Sequence, residues 1–164
     1  MTRITTLLSL SLAALCLISS DADAQVTASS YSNGGTAIAT ASGRGNTRLN
    51  ATARAYNGGY ARANMTGAGT NGGYATGRST AISNGGVAIS NGRSFANGWG
   101  ARSNANSSAR TFQGFARSNS EAIANGAWSN ARSNARTRTF RTYGSSSSRA
   151  IDNRWNSYPS YQPW

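Results

Sequence analysis

The chain has 164 residues and a formal net charge of +12, because 16 basic residues, all of them arginine, face only four acidic ones. It contains one cysteine and no histidine, which excludes Cys/His metal centres and Ser-His-Asp triads. Only 38% of the residues are hydrophobic and many of these are alanine, which excludes a conventional core of leucine, isoleucine and phenylalanine.

The first 24 residues predict an export signal. Arg3 precedes an apolar run at residues 7–18, and the small residues around Ala24 form a cleavage site before Gln25. The run is shorter than the roughly 20 apolar residues that a membrane-spanning helix needs, and an uncleaved N-terminal anchor is the alternative. Cleavage removes the cysteine and leaves 15 arginines against two acidic residues, a net charge of +13. We therefore expect a mature protein that is secreted, at the cell surface or in the periplasm.

Asn-Gly pairs recur through the chain after the signal. Asparagine and glycine tolerate positive φ, so an Asn-Gly pair is a strong signal for a tight turn between strands. The spacing of the pairs predicts a repeat of about 12 to 14 residues. The seven pairs begin at residues 33, 57, 71, 84, 91, 97 and 125.

Small and large residues alternate between these turns. In the longest example, residues 127–140, Ala, Ser and Thr occupy one parity and mostly Asn and Arg, with Trp and Phe, occupy the other. A period of two is the strand period, so we interpret each such stretch as a β-strand with a buried small face and an exposed polar face. An alanine-rich helix is disfavoured because glycine is frequent and no apolar stripe recurs at three-to-four spacing. Shorter stretches of the same kind are 36–41, 51–56, 60–63, 74–83, 101–112 and 116–124.

The alternation predicts an all-β protein, either a short-repeat β-solenoid or a thin β-sandwich, with a core of alanine and serine. Repeats this short cannot bury a face alone, so stacking of neighbours must stabilise them. The end strands of such a stack have open edges, which favours self-association. Low bulky apolar content and high charge are also typical of disorder, so a largely disordered low-complexity chain is the alternative. Outward asparagines expected to form ladders along the stack are Asn104, Asn106, Asn119, Asn130 and Asn134.

Residues 144–164 differ in character from the repeats. The Gly/Ser run at 144–148 predicts a linker, and aromatic residues spaced by proline follow it. Such a tail indicates an extended segment that docks on a partner, with a cap over the last strand as the alternative. The sequence thus divides into a signal peptide (1–24), an Asn-Gly-punctuated β-repeat domain (25–143), and a linker with an aromatic tail (144–164).

One segment resembles a known family. Residues 82–98, ISNGGVAISNGRSFANG, resemble the short Val-Ala-Ile-Gly repeats in the heads of trimeric autotransporter adhesins, and the resemblance extends over residues 82–126. It implies a parallel β-roll that binds host matrix or other surfaces. The resemblance supports a solenoid more than it supports that family's anchoring or its ligands.

Arginines and aromatic residues form the candidate binding site. Guanidinium groups pair bidentately with phosphate, sulfate and carboxylate, and aromatic rings stack on bases or sugars. The alternatives are that exposed rings pair across strands and that the charge only maintains solubility. A cation and a ring lie two residues apart, on one strand face, at Arg54 and Tyr56, Arg110 and Phe112, and Arg138 and Phe140. The predicted polyanion-binding residues are Arg54, Arg62, Arg78, Arg102, Arg110, Arg117, Arg132, Arg136 and Arg138. The predicted aromatic contacts are Tyr56, Phe112, Trp128, Phe140, Trp155 and Trp164.

The sequence predicts a protein without catalytic activity. Glu121 and Asp152, the two acidic residues after the signal, are the most that acid/base chemistry has to use. No cofactor and no small-molecule substrate is expected. We expect an exported structural or adhesive β-repeat protein whose partners are other copies of itself and acidic polysaccharide, nucleic acid or an anionic surface. The alternative is a secreted, monomeric nucleic-acid or polyanion binder that is disordered until bound.

Overall fold

A computed structural model describes residues 24–141 and 143–153. The predicted signal peptide, apart from Ala24, and the aromatic residues Trp155 and Trp164 lie outside these ranges. No helix that is long and apolar enough to cross a membrane occurs among the described residues. Their strands are β1 (Ala24–Asn33), β2 (Thr36–Arg44), β3 (Thr47–Tyr56), β4 (Tyr60–Gly69), β5 (Tyr74–Asn84), β6 (Val87–Asn97), β7 (Arg102–Phe112), β8 (Phe115–Asn125), β9 (Asn130–Phe140) and β10 (Gly144–Asn153).

Consecutive strands lie in opposite sheets. The odd-numbered strands form sheet A in the order β1-β3-β5-β7-β9, and the even-numbered strands form sheet B in the order β2-β4-β6-β8-β10. All neighbouring strands are parallel. The chain is therefore a parallel β-solenoid, which confirms the first of the two predicted architectures. Each coil consists of one odd strand, a corner and the following even strand.

The coil has a constant length over most of the solenoid. Ser103 lies beside Ala131 in sheet A and Ala116 lies beside Gly144 in sheet B, so equivalent residues are 28 positions apart, as in the Asn125–Asn153 pair. Half of this coil corresponds to the predicted repeat of 12 to 14 residues. Six of the seven Asn-Gly pairs therefore mark corners between sheets, whereas hairpins would have joined strands of one sheet.

Alanine and serine fill the interior, as the alternation predicts. The side chains of Ala51, Ala63 and Ala109 are completely buried. The two long inward side chains, Leu49 and Met65, are accommodated by glycines on neighbouring strands. A Cβ at Gly77 would lie 2.5 Å from Met65 Sδ, and one at Gly67 would lie 3.2 Å from Leu49 Cδ1. Small and large inward residues thus complement one another between sheets.

Buried serines from β5 onward form a network that crosses between the two sheets. Ser79 Oγ and Ser90 Oγ are 2.8 Å apart, and Ser107 Oγ donates to Ser90 Oγ at 2.9 Å. Ser118 Oγ donates to Ser107 Oγ at 2.9 Å. These residues belong in turn to β5, β6, β7 and β8, so the network alternates between sheet A and sheet B. It satisfies hydroxyl groups that burial would otherwise leave without partners.

The corners from sheet A to sheet B share one backbone conformation. Positive φ recurs at one equivalent corner position, at Gly34, Gly58, Gly85, Gln113 and Arg141. The backbone N–H at this position donates to the next coil, for example from Gly85 to Phe112 O at 2.7 Å. Glycine adopts positive φ without steric strain, whereas Gln113 and Arg141 adopt it at φ 55° and 57°.

Three local predictions were wrong. Asn91-Gly92 lies inside β6 and makes no turn, and Gly92 faces the interior, where a Cβ would lie 3.3 Å from Asn106 O. The longest alternating stretch becomes a strand only at Asn130, because Trp128 has positive φ and belongs to a turn. The Gly/Ser run at 144–148 forms the first half of β10 and is not a linker.

Candidate polyanion-binding face

The outer surface of sheet A is densely cationic. Alternation on its strands directs the small residues inward and places arginine at many outward positions. None of the residues in β1, β3, β5, β7 and β9 is acidic. We call this surface the arginine face. Its exposed arginines are Arg48, Arg54, Arg78, Arg102, Arg110, Arg132, Arg136 and Arg138.

Parallel register brings arginines of successive coils together. Arg110 lies directly beside Arg138, and neighbouring strands are about 4.8 Å apart. On β9, Arg136 and Arg138 project on the same side about 7 Å apart along the strand. A surface groove lined by Arg48, Arg78 and Asn106 crosses β3, β5 and β7. The face therefore offers eight exposed guanidinium groups, two of which lie side by side on neighbouring strands.

Aromatic rings border the arginine face at the corner towards sheet B. Phe112 and Phe140 stack with centroids 4.9 Å apart and planes 5° apart, and Tyr31 and Tyr56 have centroids 5.5 Å apart. The guanidinium carbon of Arg141 lies 5.5 Å from the Phe140 centroid. These rings pair across coils, which was the alternative to direct ligand stacking. Phe112 and Phe140 nevertheless remain about half exposed, so their outer edges are accessible.

The outer surface of sheet B carries an asparagine ladder. Asn91 Nδ2 donates to Asn64 Oδ1 at 3.0 Å, and Asn119 Nδ2 donates to Asn91 Oδ1 at 3.0 Å. Of the asparagines expected to form ladders, Asn119 belongs to this one. In sheet A, Asn106 bonds to Asn104 of its own strand at 3.2 Å. The ladder ties three coils together on this surface.

Sheet B also carries the outward carboxylate of Glu121. It forms an ion pair with Arg93, whose Nε lies 3.0 Å from Glu121 Oε2, and an Arg149 guanidinium nitrogen lies 3.9 Å from Oε1. Asp152, in β10, instead accepts a hydrogen bond from Ser129 at 2.6 Å. Both carboxylates that follow the predicted signal thus lie on strands of sheet B, where Glu121 offsets part of the positive charge.

The structure divides the predicted arginines between the two surfaces. Seven of the nine belong to the arginine face, whereas Arg62 and Arg117 lie on the outer surface of sheet B. Trp128 lies in a turn, 79% exposed and outside the strands.

The sequence analysis missed Arg48, whose guanidinium carbon lies 5.7 Å from the Tyr74 ring centroid. Continuing the alternation from Ala51 back through Leu49 would have found it.

Comparisons of the chain with protein-family models, with curated proteins and with solved structures give no match. No group of three or more His, Cys, Asp or Glu residues that could hold a metal ion occurs within residues 24–141 and 143–153. The arrangement that the described residues offer is therefore an extended cationic surface on a rigid repeat.

Proposed function

We propose that this protein is an exported structural or adhesive protein that binds acidic polymers or anionic surfaces through the arginine face and self-associates through its strand edges. The observation that carries the proposal is the uneven distribution of charge: the strands of sheet A carry eight exposed arginines and no acidic residue, whereas those of sheet B carry five arginines together with Glu121 and Asp152. No catalytic step is part of this proposal.

The geometry of the arginine face suits an extended polyanion. Arg110 and Arg138 lie about 5 Å apart across strands, and Arg136 and Arg138 lie about 7 Å apart along β9, so a polymer with repeated charges engages several cations at once. The β-ladders fix the backbone positions beforehand, which lowers the entropy lost on binding. Guanidinium forks bind phosphate, sulfate and carboxylate alike. Acidic polysaccharide and nucleic acid are therefore both suitable ligands.

The strand edges support self-association. Among the described strands, β1 and β9 are the outer strands of sheet A, and β2 and β10 are the outer strands of sheet B. No described strand lies on the other side of each of them, and an outer strand is a template for another chain. This observation favours an assembling protein over the alternative of a monomeric binder. The continuous interior of the described residues also argues against disorder before binding.

Binding to heparin, double-stranded DNA and neutral dextran tests the proposed ligand class. We expect the purified protein to bind the two polyanions and not dextran, with affinity that falls steeply as salt rises. Comparable binding to dextran, or binding that does not depend on salt, would contradict the proposal.

A matched pair of variants tests which surface binds. Replacement of Arg110 and Arg138 by glutamine removes two adjacent cations from the arginine face, and replacement of Arg62 and Arg117 removes the same charge from sheet B. The first variant should lose at least about tenfold in affinity, and its log–log salt slope for DNA should fall by roughly 2. The second should lose much less. Equal losses would show that only net charge matters.

A further inference from the structure

The two ends of the solenoid present complementary edges. At one end β1 and β2 are the outer strands, and at the other end β9 and β10 are. In β10 the inward residues Ser146 and Ala150 are exposed, although their equivalents one coil earlier, Ser118 and Ala122, are completely buried. Among the described residues the interior is therefore open at this end, in the way that one more coil would close.

We propose that this surface binds a second copy of the chain in a head-to-tail arrangement, with β1 of the incoming copy beside β9 and its β2 beside β10. The proposal rests on the self-association proposed above and adds its polarity and register. All strands are parallel within each sheet, so only a head-to-tail copy continues both sheets in the same sense.

A single register satisfies both sheets. In each sheet, inward residues of successive strands lie side by side and form rows. When these rows are continued past the last coil, Val26 of the incoming copy lies beside Ser133 in sheet A. Ala39 of the same copy lies beside Ser146 in sheet B. The chain distance from Val26 to Ala39 equals that from Ser133 to Ser146. One rigid placement therefore aligns both rows, and the residues that meet inside are small enough for the interior.

The corner geometry also continues across this junction. Arg141 has φ 57°, in the same left-handed region as Gly34, Gly58, Gly85 and Gln113 at the equivalent position of earlier coils. In those coils the N–H of this residue donates to a carbonyl of the next coil, as from Gln113 to Phe140 O at 3.1 Å. The Arg141 N–H is thus directed to where Asn33 O of an incoming copy would lie. A head-to-head or tail-to-tail pair would reverse the strands and set unlike corners against each other.

Repulsion between arginines also favours the head-to-tail arrangement. The outward residues of β9 include Arg132, Arg136 and Arg138, and a tail-to-tail pair would bring two such arginine rows together, which is repulsive. In the head-to-tail register these arginines meet Gln25, Ser29 and Tyr31, respectively. None of these partners is charged, and Tyr31 places an aromatic ring beside Arg138.

Cysteine cross-linking between two singly substituted proteins tests the polarity. Thr27 and Asn134 are exposed, uncharged and adjacent in the predicted register. Their Cα atoms would lie about 4.8 Å apart, which a disulfide spans. Under mild oxidation a mixture of Thr27→Cys and Asn134→Cys should form disulfide dimers at least tenfold faster than either protein alone. A mixture of Thr27→Cys and Arg138→Cys, displaced about 13 Å along the strand, is the register control.

The outcomes separate this inference from the proposed function. If electron microscopy and sedimentation show only monomers at every concentration, self-association fails and the head-to-tail contact fails with it. If assemblies form but Thr27→Cys or Asn134→Cys links mainly to itself, or the displaced control links as fast as the predicted pair, only the polarity or register is overturned. Ser29→Cys with Arg136→Cys is a second pair in the same register, which keeps the test decisive if a first-pair variant does not fold.

Discussion

The outer faces of the two sheets are built on the same coils and differ in chemistry. Sheet A presents the arginine face, with no acidic residue on its strands, whereas sheet B presents the Asn64–Asn91–Asn119 ladder and the Arg93–Glu121 pair. The inward rows of both sheets are mostly alanine, serine and glycine. Because the small interior specifies the fold, the two outer faces can differ. The face of sheet B stabilises the stack, whereas that of sheet A carries like charges that repel one another unless a ligand neutralises them.

The largest expected effect comes from damaging the interior that both faces share. Ser90→Leu introduces a bulky side chain where Ser90 Oγ contacts Ser79 and Ser107. Overpacking and the lost hydrogen bonds should lower the free energy of unfolding by about 3 kcal/mol or more. Thermal unfolding measures this loss. The matched control Ser108→Leu, on an outward position of sheet A, should change the free energy of unfolding by less than about 1 kcal/mol. Equal losses for the two variants would mean that the serine network does not stabilise the two sheets more than an outward position does.

Removal of the asparagine ladder is expected to cause the next largest loss of stability. Asn91→Ala eliminates one hydrogen bond that Asn91 donates and one that it accepts, so stability should fall by about 1–2 kcal/mol. Urea unfolding gives the difference, and heparin affinity should not change. Ser108→Ala, on the other face, is the control and should be close to neutral. A drop in heparin affinity for Asn91→Ala would break the division between a stabilising and a binding face.

Glu121→Gln removes the outward carboxylate of sheet B, so that this surface resembles the arginine face in charge. The pair is partly exposed, so its loss should lower stability by at most about 1 kcal/mol, and the difference should disappear in high salt. The variant should also bind heparin somewhat more tightly, because Arg93 and Arg149 lose their anionic neighbour. Chemical unfolding at low and high salt, with heparin binding on the same samples, checks both statements. A loss of stability that persists in high salt would show that Glu121 acts by packing.

The smallest effect should have the opposite sign. Arg138→Gln removes one of two like charges that lie side by side at Arg110 and Arg138, so stability at low salt should rise by a few tenths of a kcal/mol. Arg102→Gln is the control, since its in-register neighbours, Tyr74 and Asn130, are uncharged. Thermal shift assays at low salt compare the two. A gain for both variants, or for neither, would mean that local repulsion does not distinguish the arginine face.

The alternation alone predicted which residues face inward. Ala51, Ala109 and Ser118 are buried as expected, because a two-residue period leaves no other face for small side chains in a strand. The partner of each strand was not predictable. A tight Asn-Gly turn fits a hairpin and a corner equally well, and only three-dimensional stacking shows that strands two apart in sequence pair.

The features that the sequence did not predict show no difference in residue size between alternate positions. Ser145 to Ser148 are identical, so no alternation marked β10, and composition suggested a linker. Gly92 follows an asparagine but faces the interior, where a Cβ would lie only 3.3 Å from Asn106 O, and the dipeptide does not reveal this. The residues of the arginine face were predictable one by one in its later strands, whereas their separation from Arg62 and Arg117 required the assignment of strands to sheets.

The constant coil of 28 residues has a consequence for how the length of the molecule can change. Duplication of any 28 consecutive residues in the later coils would insert a whole layer, preserve every row and lengthen the rod by about 4.8 Å. The first coils are shorter, with in-register residues 23, 24 and 27 positions apart, so differences in coil length are taken up at the corners. Gene duplication in steps of one coil is therefore a simple route by which a longer version would keep both its interior and its corners.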